Sequence, residues 1–193
     1  MFFVVAFWFF FWFSLPRPLF RDPGATVFDD HNGVLMGARI AADQQWRFPS
    51  GRSVPEKFQK ALIMFEDRFF YYHNGLNPWA MARAAYQDFK AGKIVSGGST
   101  ITMQVIRLSR KGKSRTVFEK VIEAFLAVRL ELTYSKKEIL ALYAANAPFG
   151  GNVVGIDAAA WRYFGKNAAQ LSWAEAATLA VLPNSPALIY PGK

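Results

Sequence analysis

Thr116-Val117-Phe118-Glu119-Lys120-Val121-Ile122-Glu123-Ala124-Phe125-Leu126-Ala127-Val128-Arg129-Leu130-Glu131-Leu132-Thr133 is a long apolar-periodic stretch and the best candidate for a central helix. Helical signals flank it on both sides. Before it, Ser109 to Arg115 is basic, contains Gly and has too little apolar content for a core, so it reads as a mobile surface loop. Ser96-Gly97-Gly98-Ser99-Thr100 is a loop opening into a helix over Ile101 to Leu108. Asn77-Pro78, a cap with Pro at the first helical position, starts another helix that runs to about Lys90, where Ala91-Gly92-Lys93 breaks it. Ser53-Val54-Pro55-Glu56 is a capping-box pattern, and Phe58, Leu62, Phe65 and Phe69 are expected on one face of the helix that follows. After the central stretch, Ser135-Lys136-Lys137-Glu138 and Ser172-Trp173-Ala174-Glu175 repeat the capping box ahead of two more helices. No internal repeat or low-complexity tract interrupts the series. The sum is a mainly α domain from about residue 50 to 185.

The chain's beginning is of a different kind. Met1 to Phe13 is apolar throughout and mostly aromatic, yet a helix needs about 20 such residues to cross a bilayer. With no basic residue before it and no small-residue cleavage site after it, it does not read as a signal peptide. Residues 1–15 are taken as part of a transmembrane signal anchor; the alternative is an aromatic segment packed on the domain. Leu15-Pro16-Arg17-Pro18 is extended, so the helix is expected to stop near Ser14. Residues 16–49 read as a linker with a small β-hairpin over Thr26 to Ile40, turning at Asp29-Asp30-His31-Asn32-Gly33.

The 193 residues, 52% of them hydrophobic, suffice for one sizeable core, hence one catalytic domain. A formal net charge of +9 favours anionic partners: lipid phosphates, membrane surfaces or nucleic acid. With no Cys and two His, thiol chemistry and His-based metal clusters are excluded. Carboxylates, hydroxyls and cations must carry any reaction.

Glu66 opens Glu66-Asp67-Arg68-Phe69-Phe70-Tyr71-Tyr72-His73-Asn74-Gly75, where charge interrupts an aromatic run. Desolvation of a carboxylate disfavours its charged form and suits it to proton transfer; the plain alternative is a helix-terminal Glu and Asp bonded to Arg68. Gly97-Gly98-Ser99-Thr100-Ile101-Thr102-Met103-Gln104 places glycines and hydroxyls at a helix start, where an anion is favoured, although a plain capped loop is the commoner case. Without the Gly-Lys-Ser/Thr ending of a nucleotide loop, ATP is not its ligand. Arg107, Lys111, Lys113, Arg115 and Lys120 cluster in sequence, either as a solvated basic loop or as a site for a phosphate-rich ligand. Glu123 stands three residues after Lys120, and a surface pair between them is the simple reading.

Together these segments closely resemble the glycosyltransferase family 51 domain of monofunctional peptidoglycan glycosyltransferases and class A penicillin-binding proteins. Glu66 to Gly75 is similar to the family's first motif, Gly97 to Gln104 to its second, and Lys120-Val121-Ile122-Glu123 to the end of its third. Lys136-Lys137-Glu138-Ile139-Leu140 with Tyr143 resembles the fourth, and Gly155-Ile156-Asp157-Ala158-Ala159-Ala160 through Tyr163-Phe164-Gly165-Lys166 the fifth. Five motifs in order over about residues 50 to 190 are far more specific than any one. Met103-Gln104, Ala147-Pro148-Phe149-Gly150-Gly151 and Asp43-Gln44-Gln45-Trp46-Arg47-Phe48 look most like the C-type branch of the bifunctional proteins.

The resemblance implies a lysozyme-like, mainly α fold over residues 50–193 and polymerisation of lipid II into β-1,4-linked glycan strands by inverting transfer, releasing undecaprenyl pyrophosphate. It implies Glu66 as general base and Glu123 as the second carboxylate near the donor pyrophosphate. Arg107, Arg115 and Lys120 match the cations around that pyrophosphate, with Ser99, Thr100 and Gln104 lining the same site. It further implies lipid II, the growing strand and membrane lipids as partners, a cell-wall synthesis complex as a setting, and a catalytic domain on the periplasmic face of the bacterial inner membrane. No cofactor is assigned; a divalent cation such as Mg2+ stays open. The family usually has Arg where this chain has Glu119, and its fourth motif usually ends Tyr-Leu-Asn where Tyr143-Ala144-Ala145 precedes Asn146. The chain is expected to be truncated, with the transpeptidase domain absent. Two rivals remain at this level: a lysozyme-like enzyme that cleaves glycan, which needs no pyrophosphate site, and a non-catalytic membrane module binding anionic lipid or polymer. Nucleic acid is not a partner, since the basic residues follow no recognised nucleic-acid motif.

Overall fold

The computed structural model describes residues 8–9, 11–32, 35–49, 53–93, 97–114 and 116–184. Its elements in chain order are β1 (Thr26–Asp29), β2 (Leu35–Arg39), β3 (Trp46–Arg47), α1 (Glu56–Glu66), α2 (Pro78–Ala91), α3 (Ile101–Ser109), α4 (Val117–Glu131), α5 (Lys136–Asn146), β4 (Pro148–Gly150), β5 (Val153–Val154), α6 (Ile156–Phe164) and α7 (Trp173–Val181). Single 3-10 turns lie at Phe70–Tyr72, Ala168–Gln170 and Leu182–Asn184. This is a mainly helical domain with a few short strands, as expected. The chain divides into two compact units, one of Met1–Phe20 with Glu66–Ile139, the other of Arg21–Phe65 with Leu140–Lys193.

In the first unit the stretch expected to be central is α4. Thr116 caps it by accepting the Glu119 N–H at 3.1 Å, which satisfies one of the donors a helix start leaves open. Leu126, Ala127 and Leu130 of α4 are buried, as are Ile101, Met103, Val105 and Ile106 of α3. Each large side chain so removed from water contributes roughly 2 kcal/mol. Arg129 of α4 is only 1% exposed. Its Nε and Nη2 donate to the Trp12 carbonyl at 3.3 and 3.0 Å, and its guanidinium lies 4.2 Å from the centre of the Trp12 ring. Phe11 meets Phe125 edge to face at 5.1 Å. One side of the N-terminal aromatic run therefore packs on α4, while Trp8, Phe9, Trp12 and Phe13 stay exposed. Residues 8–9 and 11–13 are helical and Ser14 is not, which matches the expected stop. Residues 1–7 of the proposed anchor lie outside the described residues, and among those described no helix is long and apolar enough to cross a membrane.

α2 follows its sequence signals closely. Asn77 accepts the Ala80 N–H at 3.0 Å, Pro78 takes the first position, and Gly92 ends the helix with φ of 63°. Gly75 has a stricter reason to be glycine. Its φ is 88°, and a Cβ there would stand 2.8 Å from the backbone carbonyl of Ala127, so this turn lies directly against α4.

In the second unit β1 and β2 form the expected antiparallel hairpin, pairing Thr26 with Arg39 and Phe28 with Gly37. Asp30 accepts the Asn32 N–H at 2.8 Å at the turn, an Asx turn, and Gly33 lies outside the described residues. A second sheet has the order β3-β5-β4, with β5 parallel to β3 and antiparallel to β4. α1 buries Phe58 and Leu62 completely, Phe58 packing near Phe149. Phe65 and Phe69, expected on the same face, are instead 52% and 58% exposed. The helix ends at Glu66, so the 3.6-residue period no longer reaches Phe69, and it is Phe70 of the following turn that is buried; Phe65 lies within the helix and its exposure has no such reason. α7 starts with the expected capping box: Glu175 receives the Ser172 N–H and Ser172 the Glu175 N–H. Lys166 adds a 2.8 Å bond to the same carboxylate.

Two outcomes follow from these contacts. Gly75→Ala should cost about 3 kcal/mol, or roughly 6–12 °C in melting temperature for a chain of this size. Gly92→Ala also has a positive φ, 63°, but open space around it, and should cost only about 1 kcal/mol; equal losses in thermal melts would remove the close approach as the reason. The Lys166 bond, joined by the Ser172 cap, lowers the Glu175 carboxyl to about 2 from its ordinary 4.5. Its contribution is full above the ordinary value and is lost as pH falls from about 4.5 towards 2. Replacing Glu175 by Gln should flatten that part of the melting-temperature curve, and an unchanged acid limb would contradict the assignment.

Candidate active site

The segment beginning at Glu66 is held in place by the residue after it. Asp67 is buried, and its carboxylate accepts the Ile101 N–H, the first of α3, at 3.2 Å. It also lies 3.0 and 3.1 Å from His73 Nε2. A carboxylate only accepts, so Nε2 carries the hydrogen. From the other side Lys136 donates to the His73 carbonyl at 2.6 Å and to Glu131 at 2.7 Å, and Thr102 donates to Glu131 at 2.6 Å. The start of α3, the loop at residues 67–75 and the end of α4 thus share one bonded network.

α3 presents two polar side chains on successive turns. Gln104 Nε2 donates to Glu66 Oε2 at 2.7 Å. Arg107 grips Glu123 of α4 with two parallel bonds of 3.0 Å, from Nε and Nη2, and Nη2 also donates to Ser99 Oγ at 3.1 Å. Glu66 is half-buried at the end of α1, Glu123 is 5% exposed, and the Arg107 side chain keeps a third of its surface in solvent. Such a fork-to-fork pair fixes both groups more firmly than a single contact would.

The sequence-predicted residues thus fall into distinct positions. Glu66 and Gln104 are joined, and Ser99, Arg107 and Glu123 are joined. Thr100 is buried; its hydroxyl donates to the Gly75 carbonyl at 2.6 Å and accepts the Met103 N–H at 3.2 Å, as the cap of α3. Lys120 is exposed on the first turn of α4, and Arg115 lies outside the described residues. The simple pairing of Lys120 with Glu123 is not formed. Glu123 points to α3 and takes Arg107, because the buried face of α4 is the one that meets α3. Glu119, which stands where the resembling family usually has Arg, bonds Arg110 at 2.5 Å. That bond holds the Glu119 carboxyl below the ordinary carboxylate range and the Arg110 guanidinium above its own. Among the described residues no group of three His, Asp or Glu side chains converges to hold a metal.

His73 was not singled out from the sequence, and Asp67 only as a partner for Arg68, although both complete the site's frame through the bonds to each other and to Ile101. Their signal was present: a carboxylate and an imidazole six residues apart inside an aromatic run, each needing a partner if buried.

Residues 32–193 match the transglycosylase family. The chain belongs to that family, the class of peptidoglycan glycosyltransferase domains. It is 44% identical over 179 residues to penicillin-binding protein 1C of Escherichia coli (strain K12), covering 92% of this chain and 23% of that protein. It is 39% identical over 182 residues to penicillin-binding protein 1A of Aquifex aeolicus, covering 92% and 25%, and 35% identical over 181 residues to penicillin-binding protein 1A/1B of Bacillus subtilis, covering 93% and 20%. The chain thus spans a quarter or less of the length of these curated relatives. The higher identity to the C-type relative agrees with the likeness to that branch.

Arg107→Met would leave the Glu123 carboxylate buried without its partner. It should destabilise the fold by about 2–3 kcal/mol, less than for a fully buried pair because Arg107 is partly solvated. The double variant Arg107→Met/Glu123→Met should recover most of that loss, and Lys120→Met should leave stability unchanged. Additive losses in a denaturant double-mutant cycle would show that the pair is not coupled.

Proposed function

We propose that this chain polymerises lipid II, with Glu66 removing the proton from the acceptor sugar hydroxyl as that oxygen attacks the anomeric carbon of the lipid-linked strand. The new glycosidic C–O bond forms as the bond to the pyrophosphate breaks, so the anomeric centre inverts and the pyrophosphate departs with the electron pair. The observation that carries this reading is the double use of α3: Gln104 orients one carboxylate, Glu66, and one turn later Arg107 orients the other, Glu123. An amide hydrogen bond to Glu66 fixes which carboxylate oxygen faces the acceptor without neutralising it, so the group stays a base.

The leaving pyrophosphate needs positive charge where its own charge grows. Arg107 already shares its charge with Glu123, so Lys120 and Arg115 are assigned the larger part, with Ser99 and Gln104 as hydrogen-bonding neighbours. Glu123, tied to Arg107, acts by setting that guanidinium's place beside the donor. Thr100 acts through the α3 cap. The reading includes the lysozyme-like arrangement for residues 50–193, residues 1–15 as part of a membrane anchor, 16–49 as linker, and a position on the periplasmic face of the inner membrane. The exposed aromatic side chains Trp8, Phe9, Trp12 and Phe13, and Trp79, Tyr86 and Phe89 on α2, support a membrane-facing surface.

Glu66→Gln keeps the shape and the Gln104 contact but cannot take a proton. It should abolish polymer formation from lipid II while melting at the parent temperature; product at more than a few per cent of the parent rate removes Glu66 from this role. Lys120→Met should slow turnover about tenfold to hundredfold, whereas Lys90→Met, on the far end of α2, should not.

A further inference from the structure

The second unit holds a cavity of about 690 Å3 that no residue of the candidate active site lines. It opens between the β1–β2 hairpin, Phe48 and Pro49, the face of α6 that carries Asp157 and Trp161, and the loop from Gly165 to Gln170. Val27 and Asp29 alternate along β1 and so share a face, and Leu35 is the cross-strand partner of Asp29. The hairpin therefore offers the cavity a face of side chains and not an open strand edge. The aromatic wall is made by Trp161 and Phe48, both half-buried, with ring centres 5.5 Å apart. Trp46 braces Trp161 at 5.9 Å between ring centres.

The polar groups of the lining decide the kind of ligand. Lys166 is the one cation among the lining residues, and it is bonded to Glu175 at 2.8 Å, while Asp29 and Asp157 line the same space. A phosphate or an anionic lipid would find no net positive charge here. An extended peptide adds to a sheet through the backbone of an open edge, and the hairpin turns its face to the cavity instead. What remains are hydrogen-bonding groups beside rings. Asp29 and Gln170 are exposed, the first an acceptor and the second both donor and acceptor. Asn167 uses its side-chain oxygen to accept the Ala169 N–H at 2.9 Å, which leaves its NH2 to donate. A sugar matches this lining, since its ring faces are C–H surfaces and its edge carries hydroxyl groups. Ala169, exposed in the same loop, offers apolar contact to an acetyl methyl.

We propose that this cavity binds a neutral N-acetylated saccharide, one sugar face lying on Trp161 and its hydroxyls bonded to Asp29, Asn167 and Gln170. Resting on the glycosyl-transfer reading, the saccharide belongs to a glycan strand. The volume lies in the middle of the range for small-ligand sites. A strand bound there is gripped through its sugars and not through a pyrophosphate, so it stays held once the pyrophosphate has left.

The test uses the full chain, labelled with 15N at tryptophan, in non-ionic detergent and titrated with the β-1,4-linked tetramer of N-acetylglucosamine. The indole N–H signal of Trp161, identified by its loss in Trp161→Phe, should shift and saturate. The β-1,4-linked tetramer of glucose lacks the acetyl methyls and should bind about fourfold more weakly. Asp29→Ala/Gln170→Ala removes two exposed side chains, so the fold should persist while the N-acetylglucosamine tetramer binds about tenfold more weakly. Glu56→Ala, exposed in the same unit but outside the cavity, should change nothing. Glu66→Gln should bind the tetramer as the parent does. Polymer formation from lipid II is scored separately, so this inference and the transfer reading can fail apart. No shift of the Trp161 signal at several millimolar tetramer, equal binding of both tetramers, or equal losses in Glu56→Ala would overturn the proposal. Loss of binding in Glu66→Gln would overturn it by placing the tetramer in the transfer site. A shift caused only by a peptide-bearing disaccharide would overturn it in favour of a peptide site.

Discussion

The carboxylate of Asp67 is the contact on which the rest of the candidate site depends. A helix start leaves backbone N–H groups open, and Asp67 fills the first of them in α3 while Thr100 fills another. Because Asp67 is turned inward for this purpose, α1 stops at Glu66 and the chain drops into the turn that buries Phe70. Glu66 is therefore the last residue of one helix, next to a side chain anchored on another. Its bond to Gln104 follows from that placement, since Gln104 stands one turn inside the helix that Asp67 holds. His73, Lys136 and Glu131 extend the same network, so the frame around Glu66 rests on charge-assisted bonds that are largely shielded from water.

The basic residues do not act as one cluster. Arg107 is committed to Glu123 and Ser99, and Arg110 to Glu119, which also feels Lys113; Lys120 is exposed on α4. Two of the cations are matched by carboxylates at close range, which lowers the local net charge well below what a count along the chain suggests. Selectivity for a phosphate-bearing ligand then rests on where the charges stand rather than on how many there are. Glu119, where the family usually has Arg, fits this division: it compensates Arg110 instead of adding a cation.

What the sequence alone determined was local. Caps at Asn77, Ser135 and Ser172, the Gly92 stop and the β1–β2 hairpin were legible because each depends on backbone groups within a few residues. The motifs also pointed to Glu66, Gln104, Arg107 and Glu123, through their likeness to a known family. Tertiary structure decided the rest. Period alone put Phe69 on the buried face of α1, but the helix ends where Asp67 finds a partner 34 residues away. Spacing alone paired Glu123 with Lys120, but the crossing of α3 and α4 brings Arg107 to it from 16 residues away. The need of Asp67, His73 and Arg129 for partners is written in their chemistry. Which partners they find depends on long-range packing, because a buried charge is satisfied by whatever the fold places beside it and not by its neighbours in sequence.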